Sequence, residues 1–178
     1  MTLEHPLDSW RMASDGIRER HAARVLLLRD DGRALLVRGH DVDQPDRSWW
    51  FTVGGGIDPG ESPLTAAVRE VSEETGIVLK TSRLAGPIVH RTGVFDFFRE
   101  TCRQFEQIFF ARLSDQEAAV ITTSGWTTAE NEVLDELAWL SAAELRTQAS
   151  EYFPRELPDI IEELQSDWDG TVWDLGRD

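Results

Sequence analysis

The stretch Gly55–Ile77, GGIDPGESPLTAAVREVSEETGI, decides how the rest of this 178-residue chain is read. Ser62-Pro63 supplies an N-cap followed by proline at the first helical position, where its missing N–H costs nothing. Leu64, Ala67, Val68, Val71 and Thr75 then recur at helical spacing, and Gly76 supplies the stop. The spacing predicts an amphipathic helix over residues 63–75.

On the polar side of that helix Glu70, Glu73 and Glu74 gather at i, i+3 and i+4, with Arg69 four residues before Glu73. Carboxylates this close repel one another, by about a few tenths of a kcal/mol per pair on an exposed helix. A hard divalent cation, Mg²⁺ or Mn²⁺, is the natural counterweight, because such ions prefer carboxylate oxygens. Taken by itself such a triplet is more simply a solvated acidic face, so its surroundings have to decide.

Upstream, Ala22–Arg29 and Arg33–Arg38 are apolar runs around Asp30-Asp31-Gly32, which reads as a β-hairpin. His40–Ser48 is turn-rich, and Trp49–Val53 is strand-like by its aromatic and β-branched content. At Gly54, Gly55 and Gly56 the backbone must bend or approach something closely. Downstream, Ile88–Phe98 and Thr101–Leu113 read as two strands, followed by a polar loop from Ser114 to Asn131 and a short strand near Leu137–Leu140. Ser141 and Glu144 form a capping box opening another helix, and Pro158 begins a last helix through Leu164. Strands around one strong helix, with more helix at the end, predict an α+β class, a mixed α/β sandwich rather than a doubly wound parallel sheet. The predicted organisation is an N-terminal arm or short helix over 1–20, a domain over 21–150, and an acidic C-terminal helical tail over 151–178 packed on the same domain.

Composition narrows the function. The chain is 40 % hydrophobic and 29 % charged, within the soluble globular range. Its net charge is −15, of which −11 falls in residues 129–178 and only −4 in residues 1–128. That balance argues against long nucleic acid or an anionic membrane as partner and admits small anionic substrates only through cations. The one cysteine, Cys102, excludes an internal disulfide or a multi-cysteine zinc site. With no apolar run near 20 residues and no signal-peptide pattern at MTLEHPLDSW, a cytoplasmic protein is expected.

The order Gly55, five residues, Glu61, seven residues, Arg69-Glu70-Val71-Ser72-Glu73-Glu74-Thr75-Gly76-Ile77 resembles the Nudix box, G-x5-E-x7-R-E-U-x-E-E-x-G-U with U aliphatic, at every defined position. Chance coincidence is on the order of 10⁻⁷ at average composition. The resemblance extends over about Ala22–Ala149 and implies a Nudix-like α/β/α sandwich with a mixed β-sheet and the Nudix loop-helix motif. It implies a hydrolase that splits the phosphoanhydride of a nucleoside diphosphate linked to another group, using Mg²⁺ or Mn²⁺. Carried over, Glu70, Glu73 and Glu74 would be metal ligands with a backbone carbonyl at Gly54 or Gly55. Glu73, Glu70 and Arg69 would carry catalysis, Arg69 by orienting the carboxylates, and Glu61 would be structural or a water-mediated metal contact.

The general base is open between a box glutamate and Glu106, Glu130, Glu132 or Glu136. For substrate contacts the expectation falls on Arg38, at the end of the second strand, and on Trp50 as a stacking face. Arg91, Arg103, Trp49, Phe51, Phe98 and Trp126 are weaker candidates, the aromatic ones reading more simply as core. The marks of several subfamilies are missing: position 92 is threonine rather than proline, and Phe95 stands where a tyrosine would be diagnostic. The alternative is a non-hydrolytic Nudix domain that senses a ligand or binds a protein, although such domains usually lose the glutamates kept here. The acidic tail, with Trp168 and Trp173, reads as a packing tail or as a homodimer surface.

Overall fold

The hairpin signal around Asp30-Asp31-Gly32 is the seed of a large mixed sheet. A computed structural model describes Leu7 and residues 9–177 of the chain. The elements are β1 (Arg11–Met12), β2 (Arg18–Arg29), β3 (Ala34–His40), β4 (Ser48–Gly56), α1 (Pro63–Thr75), β5 (Ala85–Phe97), β6 (Glu100–Leu113), α2 (Asp115–Ala118), α3 (Thr128–Asn131), β7 (Leu134–Leu140), α4 (Ala142–Arg146), β8 (Glu151–Tyr152), α5 (Leu157–Glu163) and β9 (Trp173–Arg177). The strand order is β7-β3-β4-β2-β6-β5-β9, with β1 added to β2 and β8 to β4. β2 and β3 pair only at Leu27↔Leu35 and Leu28↔Ala34. Beyond those pairs β4 enters between them, antiparallel to both. On its other side β2 runs parallel to β6 along its whole length, from Arg18↔Cys102 to Arg29↔Leu113.

Alternation along β2 assigns the two faces. Ala23, Val25 and Leu27 pack with Ala66, Ala67 and Val71 of α1. Leu26 and Leu28 pack with Leu145 of α4 and Ile160 and Ile161 of α5. Each fully buried Leu or Ile contributes about 1.5–3 kcal/mol of transfer free energy. Helices thus cover both faces of the mixed sheet, giving an α+β fold built as an α/β/α sandwich.

Helix α1 has the bounds its sequence predicts. The Ser62 hydroxyl accepts from Thr65 N–H at 3.1 Å, and Gly76 closes the helix at φ 74°, donating to Ser72 C=O. Three departures are structural. First, β4 continues through Gly56 instead of bending at the glycines, held by pairing of Gly54–Gly56 with Ala22–Arg24. Second, Arg11–Met12 is a strand on β2 rather than part of a helix, while Met1–Pro6 and Asp8 lie outside the described residues. Third, the chain after α5 ends in β9, which pairs in parallel with β5 through Val89↔Trp173 and His90↔Asp174. Trp168 and Trp173 pack against the α4/α5 core.

Candidate metal centre and cleft

The loop from Ile57 to Ser62 brings α1's polar face to the end of β4. Glu70 and Glu74 are 7 % and 4 % exposed, deep enough that burial dominates their protonation. Burial, reinforced by the charge of Glu70, pushes the Glu74 carboxyl up to about 8, despite a hydrogen bond from Gly54 N–H at 2.9 Å. Burial also raises Glu70, opposed by Arg69 and assisted by Glu73 and Glu130. Glu130, on α3, completes the group: one carboxylate oxygen each from Glu70, Glu74 and Glu130 lies within 4.8 Å of the others. Gly55 leaves room for this. A Cβ there would sit 2.7 Å from the Glu70 carboxylate, so only glycine lets the strand approach.

Arg69 is the clamp of the loop-helix motif. Its Nε and Nη2 donate to the two Glu61 oxygens at 3.0 and 2.9 Å, and Nη2 also donates to Gly56 C=O at 2.9 Å. Its Nη1 reaches Glu70 at 2.8 Å and Glu73 at 3.1 Å. Glu61 therefore anchors the arginine and stands outside the three-carboxylate group. Glu73 also stands outside it, half-exposed and turned toward Arg69.

Glu130 is placed by a different route. The segment before it packs on the last turn of α1, whose carbonyls lack helical partners. Trp126 Nε1 donates to Glu74 C=O at 3.0 Å, and Thr122 N–H donates to Thr75 C=O at 2.9 Å. Thr127 then caps α3 in a capping box, and the Glu130 carboxylate accepts from Thr127 N–H at 2.7 Å.

Of the other acids weighed as general base, none joins the cluster. Glu106 is buried on β6, where its carboxylate accepts from Arg24 at 2.7 Å, from Arg91 at 2.7 Å and from Gln104. Burial opposes its charge, but Arg24 and Arg91 outweigh that and hold the carboxyl below its usual range, so it is committed to salt bridges rather than proton transfer. Glu136 pairs with Arg38 at 3.2 Å, and Glu132 is exposed at the end of α3.

A cleft of about 890 Å³ runs from the carboxylates past Arg20, Arg24 and Arg91 to aromatic walls that include Trp49, Phe51 and Phe95. Arg38 and Trp50, the expected substrate contacts, do not line it. Trp50 is 3 % exposed and packs with Leu26, Leu36 and Ile161, because β4 alternates and Trp49 and Phe51 take the cleft side. Arg38 lies over the Trp50 ring, 5.8 Å from its centroid, and also faces Asp135 at 3.5 Å. Arg24, which bridges Glu106 to the Thr52 and Gly54 carbonyls at 2.9 Å, had no signal in the sequence beyond its place in an apolar run.

A mixed-sheet sandwich that sets a glutamate-bearing loop-helix against a glycine strand defines a Nudix fold. The chain belongs to this family, matching the NUDIX domain over residues 18–163. It is 27 % identical over 137 residues to a MutT-like protein of Streptomyces ambofaciens, covering 77 % of this chain and 73 % of that one. It is 39 % identical over 87 residues to diphosphoinositol polyphosphate phosphohydrolase 3-alpha of Mus musculus, covering 46 % of this chain and 51 % of that protein. The chain thus matches about half the length of such curated relatives. In fold it is similar to the crystal structure of a MutT protein from Methanosarcina mazei Go1, with a TM-score of 0.54 at 21 % identity over 82 % of this chain and 91 % of that one.

Proposed function

We propose that this protein is a divalent-metal-dependent pyrophosphohydrolase of small nucleotide-type substrates, cleaving the phosphoanhydride of a nucleoside diphosphate linked to another group. The observation that carries this reading is the convergence of Glu70, Glu74 and Glu130 from two separate segments within 4.8 Å in a cleft. Family membership and relatives named as phosphohydrolases support it.

The residues fit Mg²⁺ or Mn²⁺. The donors are all oxygens, and two of the carboxyls are buried with their charge uncompensated enough to be raised. Glu70, Glu74 and Glu130 would hold the ion, with the main chain at Gly55 close by and Glu73 flanking from the same helix face. When bound, the ion supplies charge neutralisation at phosphoryl oxygens and a more acidic attacking water. Arg69 fixes the Glu70 and Glu73 carboxylates against their mutual repulsion and ties them to the loop through Glu61. The arginine-lined cleft attracts the anionic substrate that the net charge of −15 would otherwise repel. A cytoplasmic setting belongs to the same reading. Among the described residues no helix is long and apolar enough to cross a membrane.

The test incubates the full chain with nucleoside diphosphate sugars, dinucleotides and nucleoside triphosphates, with Mg²⁺, Mn²⁺ or EDTA, and reads products by phosphorus NMR. Metal-dependent cleavage abolished in Glu74→Gln is expected. Metal binding with no turnover on any substrate would favour the ligand-sensing alternative.

A further inference from the structure

Among the described cleft arginines, Arg20 is the one that is partly buried and yet in no ion pair. Arg24 and Arg91 share Glu106, Arg47 is paired with Glu151 at 3.1 Å, and Arg155 is exposed to water at the rim. Arg20 is partly buried and, among the described residues, belongs to no ion pair. Its Nε donates to Gln104 Oε1 at 2.6 Å, and its guanidinium lies over the Trp10 ring, 4.3 Å from the centroid. Trp10 is itself 4 % exposed and braced edge-on by Phe95, so the platform beneath the cation is fixed.

The amide that holds Arg20 is also oriented. Gln104 Nε2 donates to Glu106, which leaves its Oε1 as the end presented to Arg20. Glu106, anchored by two arginines, thus sets the position of a third through Gln104. The other end of the guanidinium comes to β4: a Cβ on Gly56 would stand 3.4 Å from Arg20 Nη1. Gly55 meets Glu70 in the same way, on the opposite face of the strand, since successive residues alternate. A partly buried cation and the carboxylate group therefore stand on the two sides of the end of one strand, and one cleft reaches both.

We propose that Arg20, laid on Trp10 and oriented by the Gln104–Glu106 pair, is a binding subsite for a phosphate group of the substrate, separate from the carboxylate centre. Its planar fork suits bidentate contact with phosphoryl oxygens. Burial and the neighbouring Arg24 charge push the Arg20 guanidinium down to about 10, and a bound anion relieves both penalties. The word substrate rests on the hydrolase reading; the subsite does not, since a sensing domain would use it equally.

The experiment is calorimetric titration of inorganic triphosphate into the metal-free full chain in EDTA at low salt, with Arg20→Gln, Arg20→Lys and Arg155→Gln compared by melting temperature to establish folding. Arg20→Gln should weaken binding about tenfold or more, the order of one lost charge-assisted contact, and Arg20→Lys should weaken it less. Arg155→Gln should change it little. Equal binding by folded Arg20→Gln, or no binding by the unmodified chain, overturns the subsite. Loss of hydrolysis with retained Arg20-dependent triphosphate binding would instead count against the hydrolase and leave the subsite standing.

Discussion

Helix α1 and the segment Ser114–Val133 deliver carboxylates to the same point by opposite means. α1 is specified locally: a serine cap, a proline at N1, a left-handed glycine stop, and an apolar stripe that buries itself under β2 and β4. The later segment holds only two four-residue helices, neither with a buried residue. It is held by docking on α1, through Trp126 to the Glu74 carbonyl and Thr122 to the Thr75 carbonyl. The difference teaches that one half of the centre is preformed with its helix, whereas the other half depends on a tertiary contact with that helix's C-terminus.

The largest expected effect lies on α1. Glu74→Gln should lower metal-dependent turnover by about 10²–10³-fold, the scale of one lost electrostatic contact to the transition state. The same variant should melt higher than the parent without metal near neutral pH, because a neutral amide escapes the cost of holding a proton that the unfolded chain releases and still accepts from Gly54 N–H. Steady-state kinetics and a melting curve read the two, and a lower metal-free melting temperature would contradict the buried-charge account.

Glu130→Gln should cost less, about 10–10²-fold in turnover, the range seen when supporting metal-site groups are lost. Glutamine can keep the capping box, so α3 should survive by circular dichroism. If Glu130→Gln is as damaging as Glu74→Gln, the two halves of the centre are equivalent and the contrast fails.

Trp126→Phe removes one hydrogen bond to the Glu74 carbonyl and keeps the ring. A loss of about 1 kcal/mol should raise the half-activating Mn²⁺ concentration about fivefold if Glu130 placement depends on that dock, with little change in substrate KM. An unchanged Mn²⁺ requirement would show that α3 positions Glu130 unaided.

The smallest effect is a slope with pH. The Glu74 carboxyl is pushed from an ordinary 4.5 up to about 8 by burial and by Glu70, and faces Glu130 and Arg24 as well. The metal-free folded protein therefore holds protons that the unfolded chain has released, so stability is lost as pH rises between about 4.5 and 8. Carboxylates paired with arginine, such as Glu117 and Glu144, are held near 2 and titrate below that window. Melting temperature without metal should fall from pH 5 to pH 8, and the slope should flatten in Glu74→Gln or with saturating Mn²⁺.

What was legible in the sequence follows the same division. α1, its caps, the glutamates and Arg69 are written in consecutive residues, and the structure keeps those bounds. The mixed sandwich was legible too, because strand patterning and the capping box at Ser141 are local. Trp50 shows where local reading stops. One position along an alternating strand separates cleft from core, and the sequence WWF carries no mark of which residue faces which side. Glu130 could not be singled out from Glu132 and Glu136, since its place comes from Trp126 meeting a carbonyl 52 residues away. Arg20 likewise has its partners on β6 and before β1, beyond the reach of spacing.

The parallel pairing of β2 with β6 has a consequence in time. Arg24 meets Glu106 across 82 residues, and the two strands stay in register from end to end. Closing a loop of that length before any of its contacts are rewarded places this fold among those with slow, topology-limited folding. On the ribosome, β2, β3 and α1 emerge first, and at about 5–20 residues per second the chain spends several seconds as a half-sheet before β6 is synthesised. In that interval β2 has an unpaired edge, its Leu26 and Leu28 wait for the helices α4 and α5 that later cover them, and Arg24 has no counter-charge.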